Sequence, residues 1–229
     1  MAKQKKNSNY VTEKTVAAKA MKEEEARKKA QSKKNTTIAI AVSAVVGVIA
    51  LLFAILLVSG AFDYIPETTS HANIVFDNGT AVHIELYGKD APETVEHFME
   101  LAEKGYFTGK TAHTLVDGLL YAGDTNADGG KNGIKGEFHS NNVNNQIPMK
   151  KGTVCMARGE GKDSAYGQFF ILSGRNNDLL GEYAAFGRIT DYTALEKLLD
   201  SVTADSTGKV TNAPKITKIE LHGLDAHEH

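Results

Sequence analysis

The chain has no tryptophan, a single cysteine and only four prolines among 229 residues. One thiol excludes an internal disulfide and a cysteine-rich zinc site, since each needs more than one in the same chain. Cys155 stands in the apolar run Thr153–Ala157, which suits a small core residue better than a nucleophile. There is no G-x-S-x-G sequence of the kind that carries a nucleophilic serine. Positive charge is scarce over most of the length. Residues 1–34 hold eleven of the 26 Lys and Arg against four Glu, a net +7. The remainder holds 15 basic against 24 acidic residues, a net −9. With no basic patch interleaved with aromatics there, nucleic acid is not an expected partner.

Metal-binding patterns are also incomplete. Asp124, Asn126, Asp128 and Gly129 open like a calcium loop, but Lys135 stands at the twelfth position, where a bidentate Glu is required. The segment reads as a Gly-rich surface turn. His113 precedes an apolar run, whereas His222, His227 and His229 cluster in what reads as a solvent-exposed terminal tail without the rigid frame a zinc site needs. No metal and no cofactor are expected.

What the sequence does have is an uncharged run of 21 residues, Ile38–Val58, interrupted only by Ser43 and Gly47. At a rise of about 1.5 Å per residue this matches a hydrocarbon core of about 30 Å. The run is longer than the apolar centre of a cleaved signal peptide, and Ser59–Ala61 makes a poor cleavage site. The expectation is therefore an uncleaved signal-anchor in a lipid bilayer. The basic arm would be cytoplasmic and the acidic part outside the cell membrane. The expected layout is a basic arm over 1–37, a transmembrane helix over 38–60, a linker over 61–71, one domain over 72–222 and a tail over 223–229. Three Glu-to-base pairs four residues apart (Glu23/Arg27, Glu24/Lys28, Glu25/Lys29) predict some helix in the arm.

Within the domain, strand-like runs at 72–76 and 81–87 flank Asp77-Asn78-Gly79, a hairpin turn signal. Asp90-Ala91-Pro92-Glu93 reads as a helix start with Asp90 as cap, and Val95, Phe98, Met99 and Ala102 form one apolar face. Further strand-like runs fall near 115–122, 152–157, 168–172, 183–189 and 216–221. A second helix over about 193–202 buries Leu195, Leu198, Leu199 and Val202. Many short strands with two helices suggest an antiparallel sheet or barrel capped by helices. In "DSAYGQFFIL" a glutamine, Gln168, stands at the mouth of an apolar strand, where a core would not choose it.

The pieces "KGEF", "KGTVCMAR", "DSAYGQFFI" and "GEYAAFGRI", with "APETVEHFMELAEKGYFTG" before them, resemble the bacterial branch of the cyclophilin-type peptidyl-prolyl cis/trans isomerases. The resemblance covers nearly all of residues 72–222. It implies a mostly β fold: an eight-stranded antiparallel barrel with two capping α-helices. It also implies that proline-containing polypeptide segments are the partner. By position, Gln168 would reach the bound peptide and Phe170 would floor the proline pocket. Ala157 and Arg158 would line the groove, with the Arg158 backbone pairing with the peptide. Leu179, Tyr183 and either Leu119 or Leu120 would complete the pocket, and His113 would neighbour it. The family's F-H-R stands here as Ala112-His113-Thr114, so its chief catalytic arginine is replaced by Thr114. Tyr121 or Ala122 stands where a glutamine is usual. Two functions follow. One is a membrane-anchored isomerase assisting folding outside the cytoplasmic membrane. The other is a cyclophilin-fold module that holds proline-containing segments with little turnover.

Overall fold

The computed structural model of the chain describes residues 2–58 and 64–223 and divides into two compact units, Met1–Phe62 and Asp63–His229. The first residues of the expected linker, 61–63, and most of the expected tail, including His227 and His229, lie outside the described residues.

The first unit is one helix, α1, Ala2–Val58. No proline or glycine breaks it before Gly47. The helix expected in the arm is continuous with the apolar run. Of the three Glu-to-base pairs, Glu24–Lys28 closes at 2.7 Å, an exposed contact worth about 0.3–0.5 kcal/mol. The hydroxyls of Thr36, Thr37 and Ser43 donate to the carbonyls of Ser32, Lys33 and Ile40 at 2.9–3.0 Å, so each finds a partner within the helix. Met21–Ile55 contains the one helical window among the described residues that is long and apolar enough to cross a membrane, and none of that window is buried.

The second unit is built on eight antiparallel strands: β1 Ser70–Phe76, β2 Ala81–Leu86, β3 Thr111–Val116, β4 Leu119–Gly123, β5 Thr153–Met156, β6 Gln168–Leu172, β7 Ala184–Ile189 and β8 Ile216–Gly223. Their order is β3-β4-β6-β5-β7-β2-β1-β8. The sheet curls until its edges meet, with a bridge joining Thr111 to Lys215 and Ala112 N–H donating to Pro214 O at 3.0 Å. The Asp77–Gly79 turn joins β1 to β2 as expected, with Asn78 Oδ1 accepting from Thr80 N–H at 3.0 Å. The run near 115–122 is not a single strand. Asp117 (φ 50°) and Gly118 (φ 76°) both take positive φ, the two-residue turn that matches strand twist, and divide it into β3 and β4. His222 belongs to β8 opposite His71, with Asn73 in hydrogen-bond reach. It is a strand residue rather than part of a free tail.

Helix α2, Pro92–Glu103, packs on β7 and β8, and α3, Tyr192–Asp200, packs on β2. Phe98 of α2 sits among Phe107, Phe169 and Phe186 at ring distances of 5.1–5.8 Å, the centre of the interior core. Asp191 caps α3 by accepting from Thr193 and Ala194 N–H. The cap of α2 differs from expectation. Asp90 does not serve it. Instead Glu137, 44 residues on, accepts from Glu93 N–H at 3.0 Å, Thr94 N–H at 2.8 Å and the Thr94 hydroxyl at 2.6 Å. A carboxylate there meets both the orphan donors and the positive end of the helix dipole. The same link anchors the long β4–β5 connection, where Asn145 Nδ2 donates to Glu137 O and Ala185 O.

Apolar side chains form two clusters on opposite faces of the sheet. Phe169, Ile171, Leu120, Val154 and Met156 point into the interior. Phe170, Leu172, Leu119, Cys155 and Ala157 point outward.

Replacing Glu137 with Ala would leave three donors at a buried site and is expected to cost about 3 kcal/mol of stability. Urea unfolding of the full chain in detergent checks this. Glu137→Gln, which keeps an acceptor oxygen, should lose clearly less, and equal loss by both would rule out the capping role. Cys155 is fully buried with Sγ 3.5 Å from Met149 Sδ, and burial pushes its thiol pKa up. The native chain is expected to resist iodoacetamide at pH 8 and to react once unfolded. Native alkylation as fast as that of free cysteine would contradict this packing.

Candidate active site

The outer cluster is centred on Phe170. Strand alternation puts Gln168 and Phe170 on one face of β6. Register then places Tyr121 of β4 and Cys155 of β5 opposite Phe170. Tyr121 and Tyr183 pack on the Phe170 ring at 5.3 and 5.2 Å, and Leu179 packs against the same cluster. Phe170 is therefore outside the barrel interior, but it is fully buried beneath these neighbours. It forms the base of this outer cluster, with the Tyr121 and Tyr183 rings and Leu179 against it. Of the two leucines weighed for the pocket, Leu119 faces it, and Leu120, one residue on, faces the interior core. Likewise Tyr121 faces the site and Ala122 the interior.

A polar group adjoins this apolar patch. Asp124 O accepts from His113 Nε2 at 2.8 Å and from Gln168 Nε2 at 2.5 Å. His113 Nδ1 meets Thr114 Oγ1 at 2.8 Å. Both ring nitrogens of His113 are thus engaged within the protein, Nε2 by the Asp124 carbonyl and Nδ1 by the threonine hydroxyl. His113 is tied in this way to Thr114 and to the Asp124 main chain, next to Gln168. Gln168 is nearly buried, and its amide N–H group is directed to the protein backbone.

The Asp124 segment is held from below. Its carboxylate pairs with Lys110 Nζ at 2.6 Å and accepts from the Tyr106 hydroxyl, while Lys110 also lies 4.1 Å from the Tyr106 ring centroid. Burial first, then the Asp124 hydrogen bond, raises the Tyr106 pKa, so the phenol stays a donor. Two glycines permit the convergence. A Cβ on Gly123 would lie 2.3 Å from Gly167 O, and one on Gly167 would lie 2.4 Å from Asp124 Oδ2. In the calcium-like segment, Asn126 and Asp128 accept from the main chain of their own turn, consistent with a surface turn.

Ala157 is buried beside Phe170, and its N–H donates to Gln168 O at 2.9 Å. The Arg158 side chain is engaged within the protein at the Tyr183 side of this region. Its guanidinium donates to the carbonyls of Glu182, Gly159 and Glu160 and stacks over Phe138 and Tyr183 at 5.3 and 5.0 Å. That geometry fixes the wall carrying Tyr183. Tyr121 is the group that linear reading left unresolved. It is half-buried, and burial, then Tyr183 and Asp117, raises its pKa, keeping its hydroxyl protonated and able to donate. The structure therefore brings His113, Gln168, Phe170, Leu119, Ala157, Leu179 and Tyr183 to one region, adds Tyr121, and sends Leu120 away.

Residues 71–221 match the family model described as "Cyclophilin type peptidyl-prolyl cis-trans isomerase/CLD". A Rhizopus delemar protein, Peptidyl-prolyl cis-trans isomerase-like 1, is 30% identical over 148 residues, covering 64% of this chain and 87% of its own length. A Helicobacter pylori Peptidyl-prolyl cis-trans isomerase is 28% identical over 148 residues, covering 65% and 90%. The fold matches a Cryptosporidium parvum cyclophilin-type isomerase crystallised in the presence of the dipeptide Ala-Pro. Its TM-score is 0.58 at 21% identity, over 67% of this chain and 99% of that one. With the family model matched over residues 71–221, about two thirds of the sequence, and the eight-stranded curled sheet in place, the chain belongs to the cyclophilin-type peptidyl-prolyl cis-trans isomerases.

Proposed function

We propose that this chain isomerises X-Pro bonds of polypeptide segments outside a cytoplasmic membrane, assisting their folding, and that α1 anchors it in the bilayer. The observation that carries the reading is the outward-facing Phe170, with Leu119, Leu179, Tyr121 and Tyr183 against it and the Gln168–His113–Asp124 group alongside. Rotation about an X-Pro bond faces a barrier of about 20 kcal/mol because the amide loses resonance. Catalysis of that rotation needs no nucleophile. It needs an apolar slot that removes water from the polar planar amide and donors that favour the twisted state. Phe170 and Leu119 supply the apolar surface. The Tyr121 and Tyr183 rings border that surface, and the protonated Tyr121 hydroxyl adds a donor. Gln168 and His113 hold the adjoining backbone in place.

Thr114 stands where the family resemblance puts an arginine. A short uncharged side chain bonded to His113 cannot supply that charge at the bond, which favours slow turnover with retained binding. Thr114→Arg is expected to raise the rate constant at saturating peptide by up to about a hundredfold, the value of one well-placed charged donor, with a smaller change in affinity. NMR exchange spectroscopy on an Ala-Pro peptide separates the two quantities. A wild-type chain already as fast as arginine-bearing relatives, and unchanged by the substitution, would show that another group does this work.

The anchor reading rests on the uncharged span flanked by +7 and −9. Protease added to spheroplasts of a bacterium expressing the chain is expected to digest the C-terminal domain. Survival of that domain until the membrane is broken would reverse the orientation.

A further inference from the structure

The edge of the sheet next to Thr114 is not bare. Residues 204–210 fold into a tight turn, with Ala204 bridged to Val210, and this turn lies along β3. Asp205 Oδ1 accepts from Thr207 N–H at 2.8 Å and Lys209 N–H at 3.2 Å, and Gly208 takes φ 83°. A Cβ on Gly208 would lie 3.1 Å from Leu115 O, so glycine permits the close approach. Leu115 N–H donates to Gly208 O and Val210 N–H to His113 O, both at 2.8 Å. Those two bonds flank the Thr114–Lys209 bridge and make it the closer, non-hydrogen-bonded type of antiparallel pair, with a Cα separation of about 4.5 Å.

Directly opposed residues in an antiparallel ladder point to the same face. Lys209 opposes Thr114, Thr114 opposes Tyr121, and Tyr121 opposes Phe170. Lys209 therefore stands on the same face as Phe170, at the end of the row, beside the position the family resemblance gives to arginine. It is exposed and closes no salt bridge among the described residues, although its charge, after the Thr207 hydrogen bonds, helps lower the pKa of Asp205 in the same turn.

Reach decides what this lysine can do. Three ladder steps of about 4.8 Å put its backbone roughly 14 Å from that of Phe170. An extended lysine side chain covers about 6 Å of this. The remaining distance, about 8 Å, is too far to hold the twisting bond. It equals two to three residues of extended peptide at about 3.3 Å each.

We propose that Lys209 is a specificity-determining residue that recognises an acidic side chain two or three positions from the substrate's proline. The proposal rests on the isomerase reading of the Phe170 face. The test uses the full chain in detergent micelles and Ala-Pro peptides carrying Glu, Gln or Lys two or three positions to either side. Affinity is read by titration, and the catalysed rate at saturation by NMR exchange. On one side of the proline, the Glu peptide is expected to bind about two- to fivefold more tightly than the Gln peptide, as for an exposed ion pair. This preference should vanish in Lys209→Met, turn toward the Lys peptide in Lys209→Glu, and be largely screened at 1 M salt. The saturated rate with the Gln peptide should not change in Lys209→Met. An equal Glu-to-Gln ratio in wild type and Lys209→Met would overturn the proposal, while binding of the Gln peptide would leave the isomerase reading standing. A fall in the saturated rate would make Lys209 a turnover group and overturn the assigned role. If no peptide binds or is isomerised, both readings fall.

Discussion

The two-residue period of β6 is the constraint on which the rest of the second unit depends. Phe169 and Ile171 enter the interior core, and Gln168, Phe170 and Leu172 face the other way. Both faces of the strand are buried, so a one-residue slip would exchange Phe169 with Phe170 and place Gln168 in the interior. The neighbouring strands hold the register. β4 pairs with all five residues of β6, and β5 with three of them on the other side. Core and candidate site are the two faces of one strand.

The interior core explains why the outer face can be functional. Phe98, Phe107, Phe169 and Phe186 form a closed aromatic group, with α2 held in place by Glu137 from the long β4–β5 connection. That connection then supplies Asn145, which ties it to β7. The polar edge of the site draws on a separate set of bonds. Tyr106 and Lys110 fix Asp124, whose carbonyl collects His113 and Gln168. Buried polar groups in such a set are costly unless satisfied, and here their bonds go mostly to the protein itself. The apolar cluster around Phe170, with Tyr121 and Tyr183 at its border, lies beside this set.

The first unit obeys different physics. An α-helix satisfies its own backbone, and the hydroxyls of Thr36, Thr37 and Ser43 bond back into it. Its apolar span is long and apolar enough to cross a hydrocarbon core, and its backbone needs no partner strand. Charge is sorted along the chain to match, basic before the span and acidic after it.

Much of this was legible in the linear sequence because it depends on local spacing. The apolar span is a matter of length and polarity. The Asp77–Gly79 hairpin, the α3 face and the alternation of Gln168 with Phe170 follow from turn chemistry and from periods of 3.6 and 2. The motifs also carried the family. Other features depended on which strands meet. Leu119 and Leu120 are equivalent on paper, and only the β4–β6 register turned the first outward. The same register brought Tyr121 over Phe170. Asp117-Gly118 was a readable turn hidden inside an apolar run, whereas the cap on α2 was not readable at all, because Glu93 and Glu137 lie 44 residues apart. Lys209 and Thr114 are nearly a hundred residues apart, and the closed edge of the barrel makes them neighbours. Sequence by itself determined the elements, their amphipathic faces and the membrane-length helix, since backbone periodicity and side-chain polarity act over a few residues. Tertiary structure alone decided which outward faces meet at Phe170, because long-range strand pairing sets that geometry.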